Sequence, residues 1–264
     1  MPRANRHYFP GYLWHLTHRC HKRENLLEAR REKLSWLEWL MESKKRFRLC
    51  VLDYTVTSNH VHLLVSDRGV FQAIPRAMQL IASRSAQEYN FRQSRRGAFW
   101  EDRYHSTLIE NGVHLVRCIT YIDLNMVRAG IVQHPADWEY GGFREIQGLQ
   151  SKFDLVDLND LLSLISCENI DHLRKTHITD IERAIDGRNL TRDKIWTESV
   201  AVGSKAFVET IKKKLGGSAR RSKISEGKDI FTLREERSAY VWAPLQNANK
   251  PRRISCQPKQ LIIK

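Results

Sequence analysis

The run from Leu49 to Val65 constrains the fold more than any other stretch of the chain. Leu49-Cys50-Val51-Leu52-Asp53-Tyr54-Thr55-Val56-Thr57 and His60-Val61-His62-Leu63-Leu64-Val65 are β-prone and largely apolar, and only Ser58-Asn59 separates them. Two such runs joined by a two-residue turn predict a hairpin. Side chains two apart on a strand share a face, so His60 and His62 project together while Val61, Leu63 and Val65 project the other way. Two imidazoles side by side either pack against a neighbouring layer or chelate a divalent ion, and the hairpin alone leaves both open.

The flanking segments place that hairpin in a fold. Tyr12 to Arg19 alternates and is rich in aromatic and β-favouring residues, which predicts a first strand. Its His15 shares a row with Leu13 and Thr17, and His18 shares one with Trp14 and Leu16; both are read as structural or exposed. Residues 24–47 and 71–91 carry apolar side chains at helical spacing, and a fourth strand is expected over residues 104–109. The order β-α-β-β-α-β is that of an α+β, ferredoxin-like antiparallel sheet with both helices on one face. The histidines are then expected to look out across the uncovered face.

Asn111-Gly112 breaks the chain, and residues 113–128 read as a helix ended by Gly130. Successive residues at about 100° place His114, Arg117, Tyr121, Asn125 and Arg128 within an arc of about 80°. Leu115, Ile119, Ile122 and Met126 occupy the far side. The polar arc supplies what an isolated histidine pair lacks. Asn125 can offer a carboxamide oxygen as a third metal ligand, Tyr121 a hydroxyl that can attack a metal-held phosphorus, and Arg117 and Arg128 can bind flanking phosphates. The competing reading of Tyr121 is a packed ring with a satisfied hydroxyl.

Charge points to the partner. The formal net charge of +14, from 44 Lys and Arg against 30 Asp and Glu in 264 residues, favours a polyanion such as nucleic acid over an unpartnered basic surface. Arg95, Arg96 and Arg103 bracket Phe99, Trp100 and Tyr104, an interleaving suited to tracking phosphates and stacking bases in a single strand if the rings are not core. The five cysteines are scattered with no CxxC pair, which supports neither a disulfide framework nor a zinc ribbon. With no apolar leader and no run of 18 apolar residues, the chain is expected to be cytoplasmic, nucleoid-associated and independent of membranes.

Three motifs together resemble the single-tyrosine HUH transposases, most closely the REP-associated tyrosine transposases of bacteria. They are Ser58-Asn59-His60-Val61-His62-Leu63-Leu64-Val65, Phe99-Trp100-Glu101-Asp102-Arg103-Tyr104 and Tyr121-Ile122-Asp123-Leu124-Asn125-Met126-Val127-Arg128-Ala129-Gly130. The resemblance spans residues 8–148. It implies that His60, His62 and Asn125 bind a divalent ion, Mg²⁺ or Mn²⁺, and that Tyr121 is the nucleophile. It also implies a substrate of single-stranded DNA beside a hairpin-forming palindromic repeat, cut through a 5′-phosphotyrosine link. Related enzymes use the tyrosine on its own subunit or on a partner's, so a monomer and a homodimer both fit. Two positions depart from the family pattern, with Ser58 and Met126 where proline is usual; Met126 predicts that the helix runs on smoothly to Arg128. The rival from another class is a non-catalytic regulator that binds DNA hairpins and has lost turnover.

Residues 1–148 are thus read as the nuclease domain. Residues 149–217 are read as a mainly helical domain with helices over 153–165, 170–185 and 203–215, with a DNA-binding helix-turn-helix as one arrangement open to it. Residues 218–264 are read as a basic, partly disordered tail. Lys212, Lys213, Arg220 and Arg221 belong to a basic run that either grips DNA or serves as a linker.

Overall fold

The structure is a computed structural model that describes residues 8–187, 190–219, 222–227 and 229–235. The first half follows the expected order, with β1 (Leu13–Arg19), α1 (Arg30–Phe47), β2 (Cys50–Val56), β3 (His60–Ser66), α2 (Ala73–Arg92) and β4 (His105–Ile109). These strands lie in the order β2-β3-β1-β4 with every neighbour antiparallel, the ferredoxin-like arrangement. Register fixes which side chains share a face. Thr17 of β1 lies opposite His62 on one side and His105 on the other, Arg19 lies opposite His60, and His15 lies opposite Thr107.

The first helix opens at Arg30, six residues later than its apolar spacing predicts. Residues 20–27 instead run along the β2–β3 turn, where the amides of Cys20 and Leu27 each donate at 2.8 Å to the carbonyls of Asn59 and Ser58. Leu26 and Leu27 are buried there as loop residues. A helical pattern of leucines was therefore produced by a segment that clasps the hairpin turn.

The second half of the chain contains α3 (Val113–Asp123), α4 (Asn125–Arg128), α5 (Phe143–Ile146), α6 (Leu158–Leu164), α7 (Ile170–Asp186) and α8 (Ile195–Glu198). After these come β5 (Ala201–Gly203), α9 (Lys205–Leu215), β6 (Ser222–Gly227) and β7 (Ile230–Glu235). The three helices expected over residues 149–217 are present as α6, α7 and α9, but the strands β5, β6 and β7 among and after them were not expected. β5 pairs parallel to β4, β7 pairs antiparallel to β5, and β6 to β7, giving one seven-stranded sheet in the order β2-β3-β1-β4-β5-β7-β6. The three strands escape a periodicity reading because β5 is only three residues long and β6, Ser-Lys-Ile-Ser-Glu-Gly, is a largely exposed edge with one apolar side chain.

The histidine-bearing face is not open as expected. All seven residues of β2 are buried, and α3 packs on β2 while α8 packs on β1 and β4. Beyond β2, the chain crosses closely at Gly142, whose amide donates to the Tyr54 carbonyl at 2.8 Å. A Cβ at Gly142 would stand 2.4 Å from Asp53 Oδ1, so only glycine fits there. Among the described residues, no helix is long and apolar enough to cross a membrane.

Candidate active site

His60 stands at the mouth of the hairpin, half-buried, and His62 is buried one pleat deeper; their ring centroids are 5.0 Å apart. His60 is oriented by its own turn. Its Nδ1 lies 2.7 Å from Asn59 Oδ1 and 2.9 Å from Thr57 Oγ1, and since a carboxamide oxygen only accepts, Nδ1 carries the proton and Nε2 the lone pair. Asn59 is itself held, its side-chain amide donating to the Arg23 carbonyl. Burial lowers the pKa of His60 to about 4, helped by the cationic Arg19, Arg192 and Arg128. Burial also pushes His62 well below its ordinary value, with His60 and His15 adding to the effect. Both imidazoles are therefore neutral at pH 7, the form that ligates metal.

The helix carrying Tyr121 and Asn125 lies against this face. It does not run on to Arg128 as Met126 led us to expect: the backbone leaves helical geometry at Leu124 (ψ 3°), and Asn125 opens a separate turn. Leu124 and Val127, on either side of the break, pack into a small cluster with Phe143 and Ile181 that is separate from the main core. The break leaves the Asn125 carboxamide 3.0 Å from His62 Nε2. The Tyr121 ring stands edge-on to His62, with centroids 5.8 Å apart, and the Arg128 guanidinium lies over it at 4.3 Å. Burial raises the Tyr121 pKa, and the opposing pull of Arg128 and Arg192 does not cancel that.

His60, His62, Tyr121, Asn125, Arg128 and Arg103 line one cavity of about 790 Å³. Other predicted residues lie elsewhere. Arg117 donates to the Asp229 carbonyl at 3.3 Å, and His114 is buried beside Glu110. Arg95 pairs with Glu24 at 3.4 Å and donates to the Ala98 carbonyl, while Arg96 is exposed outside the cavity. Lys212 and Lys213 sit on α9 at a separate shallow depression with Gly216 and Ala219. Arg220 and Arg221 fall outside the described residues. The aromatic run is committed to packing: Phe99 is buried against Tyr89, and Trp100 stacks on His18 at 4.0 Å and donates to the Ala82 carbonyl of α2.

Sequence reasoning missed Arg19, Arg192, Thr197 and Glu198, which also line the cavity. The last three come from the segment around α8, far along the chain, and no local periodicity ties them to the histidines. The period-two polar row His15, Thr17, Arg19 in β1 could have flagged Arg19.

The donor set fits a small divalent ion. Ligands at about 2.1 Å and at right angles stand about 3.0 Å apart, so the 3.0 Å between the Asn125 carboxamide and His62 Nε2 suits two adjacent ligands of an octahedral ion. Turning the amide would present its oxygen. Among the described residues no group of three or more His, Cys, Asp or Glu is disposed to hold a metal.

Residues 9–125 match the model of the family described as Transposase IS200 like. A solved structure described as a REP-associated tyrosine transposase bound to a REP hairpin is similar, with 19% identity and a TM-score of 0.48, over 60% of this chain and 94% of that one. No curated protein matches the chain.

Proposed function

From the match of residues 9–125 to the IS200-like transposase family model, we propose that this chain is a transposase of that kind, which nicks and rejoins single-stranded DNA beside hairpin-forming repeats. Tyr121 is the nucleophile. The reading is carried by one observation: two neutral histidines, a carboxamide and a tyrosine from separate elements of a single chain meet in one cavity that Arg19, Arg103, Arg128 and Arg192 also line. The contact of the Tyr121 ring with His62 within one chain supports a tyrosine that acts in its own subunit's site.

His60 Nε2, His62 Nε2 and the Asn125 carboxamide oxygen would hold Mg²⁺ or Mn²⁺. When bound, the ion supplies Lewis-acid polarisation of the scissile phosphate. Tyr121 Oη attacks the phosphorus, forming a tyrosyl–phosphorus ester as the P–O3′ bond breaks. The departing oxygen takes up a proton as the 3′-hydroxyl, and the 5′-phosphate stays on the protein. Attack by a second 3′-hydroxyl reverses the step and joins a new strand, restoring the phenol. Arg128 and Arg192 flank the phenol and favour its ionised form, and Arg19 and Arg103 offer cations to the neighbouring phosphates.

Incubation with a single-stranded oligonucleotide carrying a hairpin and Mn²⁺ is expected to give a covalent protein–DNA band on denaturing gels. Tyr121→Phe is expected to abolish it and Tyr104→Phe to spare it. A band that survives Tyr121→Phe assigns the nucleophile elsewhere. Hairpin binding with no band from any strand, unaltered by chelator, favours the non-catalytic regulator.

A further inference from the structure

His15 belongs to the outward row of β1 and is wholly buried beneath the site. Its Nδ1 lies 2.8 Å from the carbonyl oxygen of Trp196 on α8, and its Nε2 lies 2.9 Å from His62 Nδ1. The two rings are nearly parallel, with centroids 5.0 Å apart.

These contacts fix hydrogen positions by elimination. A carbonyl only accepts, so His15 Nδ1 carries the proton. The His15 ring is wholly buried and its nitrogens meet a backbone carbonyl and a second imidazole, partners that would leave a positive charge there uncompensated, so the ring is neutral and its Nε2 bears a lone pair. Across 2.9 Å that lone pair needs a donor, which can only be His62 Nδ1–H. A neutral His62 protonated at Nδ1 then presents a bare Nε2 to Asn125 and the cavity. With the opposite tautomer of His62, two lone pairs would face each other in a buried site, an arrangement costing a full unsatisfied hydrogen bond.

We infer that His15 is a positioning residue: together with the Trp196 carbonyl it locks His62 in the tautomer whose Nε2 lone pair faces the cation site. The inference rests on the proposed use of His60, His62 and Asn125 as ligands. It also gives α8 a role. A backbone carbonyl contributed 181 residues after His15 sets the proton on the ring that touches the ligand, so the docking of the C-terminal segment is coupled to the readiness of the site. Groups that orient a ligating histidine in this way typically govern metal affinity by about 10 to 100-fold.

The test compares the full-length wild type with His15→Leu, which removes the acceptor, and His15→Gln, whose carboxamide can accept from His62 and donate to the carbonyl. Two readouts are taken. Mn²⁺ alone is titrated, with free ion followed by electron paramagnetic resonance, and the His62 tautomer is read in metal-free protein by long-range ¹H–¹⁵N NMR. Expected are a proton on His62 Nδ1 in the wild type, Mn²⁺ affinity lowered about 10 to 100-fold with a mixed or reversed tautomer in His15→Leu, and both restored to within about threefold in His15→Gln. A merely structural His15 would leave the tautomer of His62 unmoved. Wild-type His62 protonated at Nε2 overturns the inference whatever the variants do, as does His15→Leu with unchanged tautomer and affinity. A wild type that binds no Mn²⁺ yet shows the expected tautomers sinks the metal reading and leaves the relay standing.

Discussion

Tyr121 is held in a contradiction that its neighbours only partly resolve. Its ring is buried between His62, His15 and Trp196, which makes ionisation harder, while Arg128 lies over one face and Arg192 reaches the hydroxyl side. The phenol needs those cations most at the moment it becomes a nucleophile. Replacing Arg128 by glutamine removes one of the two groups that lower the Tyr121 pKa, so the rising limb of the pH–rate profile for covalent complex formation is expected to move to higher pH. A displacement of one unit corresponds to about a tenfold slower reaction at pH 7. A profile that keeps its midpoint while the rate falls would mean that Arg128 serves the phosphate and not the phenol. At this scale the strand and helix periods were informative for His60, His62, Tyr121 and Asn125, because each element's spacing decides which side chains share a face. They said nothing of partners across elements. His15 could be placed in a row but not beneath His62, and Arg192 and Trp196 had no pattern at all.

The elements hold the tyrosine helix from two sides. The loop over residues 20–27 ties down the hairpin turn that carries the histidines, and α7 ties down the end of α3. There His177 Nε2 donates to Asp123 Oδ2 at 2.7 Å, and Gln147 Nε2 donates to His177 Nδ1 at 2.9 Å, all close to the helix break at Leu124. Asp123 is fully buried, which raises its pKa and leaves its carboxyl dependent on this partner. His177→Leu is expected to cost about 2 kcal/mol, the range for stranding a buried hydrogen-bonding group, and to lower the urea midpoint accordingly. The double variant His177→Leu with Asp123→Leu should recover part of that loss, because no polar group is then left unpaired. A double variant less stable than the single one by the full cost of a second core substitution would show that the pair is not coupled. The late start of α1 and the interruption after Asp123 were illegible in the sequence for the same reason: leucines buried in a loop or in a small separate cluster leave the same spacing as leucines on a continuous helix.

On the scale of the whole molecule, one sheet joins the early strands that carry the histidines to late strands whose leading segment roofs them. The α+β class and the order of the first four strands were readable because each is a long apolar run bounded by turns. The extension was not, because a three-residue strand beside β4 is specified by its partner rather than by its own residues. Burying the histidine face under this roof has a measurable cost in acid. His60 has a folded pKa of about 4 against an ordinary value of 6.5, so between those values the unfolded chain binds a proton that the folded chain refuses. The sign follows: stability from this residue is complete above pH 6.5 and is lost as the pH falls toward 4, by about 1.4 kcal/mol per unit and about 3 kcal/mol across the window. Buried carboxyls such as Asp53, whose pKa burial raises, act in the opposite direction, so the total pH dependence alone does not isolate the histidine. The difference between wild type and His60→Gln does. With chelator present, urea unfolding at pH 7 and at pH 4.5 is expected to show the wild type losing about 2 to 3 kcal/mol more than the variant on acidification. Parallel losses in the two proteins would mean that His60 accepts its proton without unfolding, and the turn around Thr57 and Asn59 would then have to open to admit it.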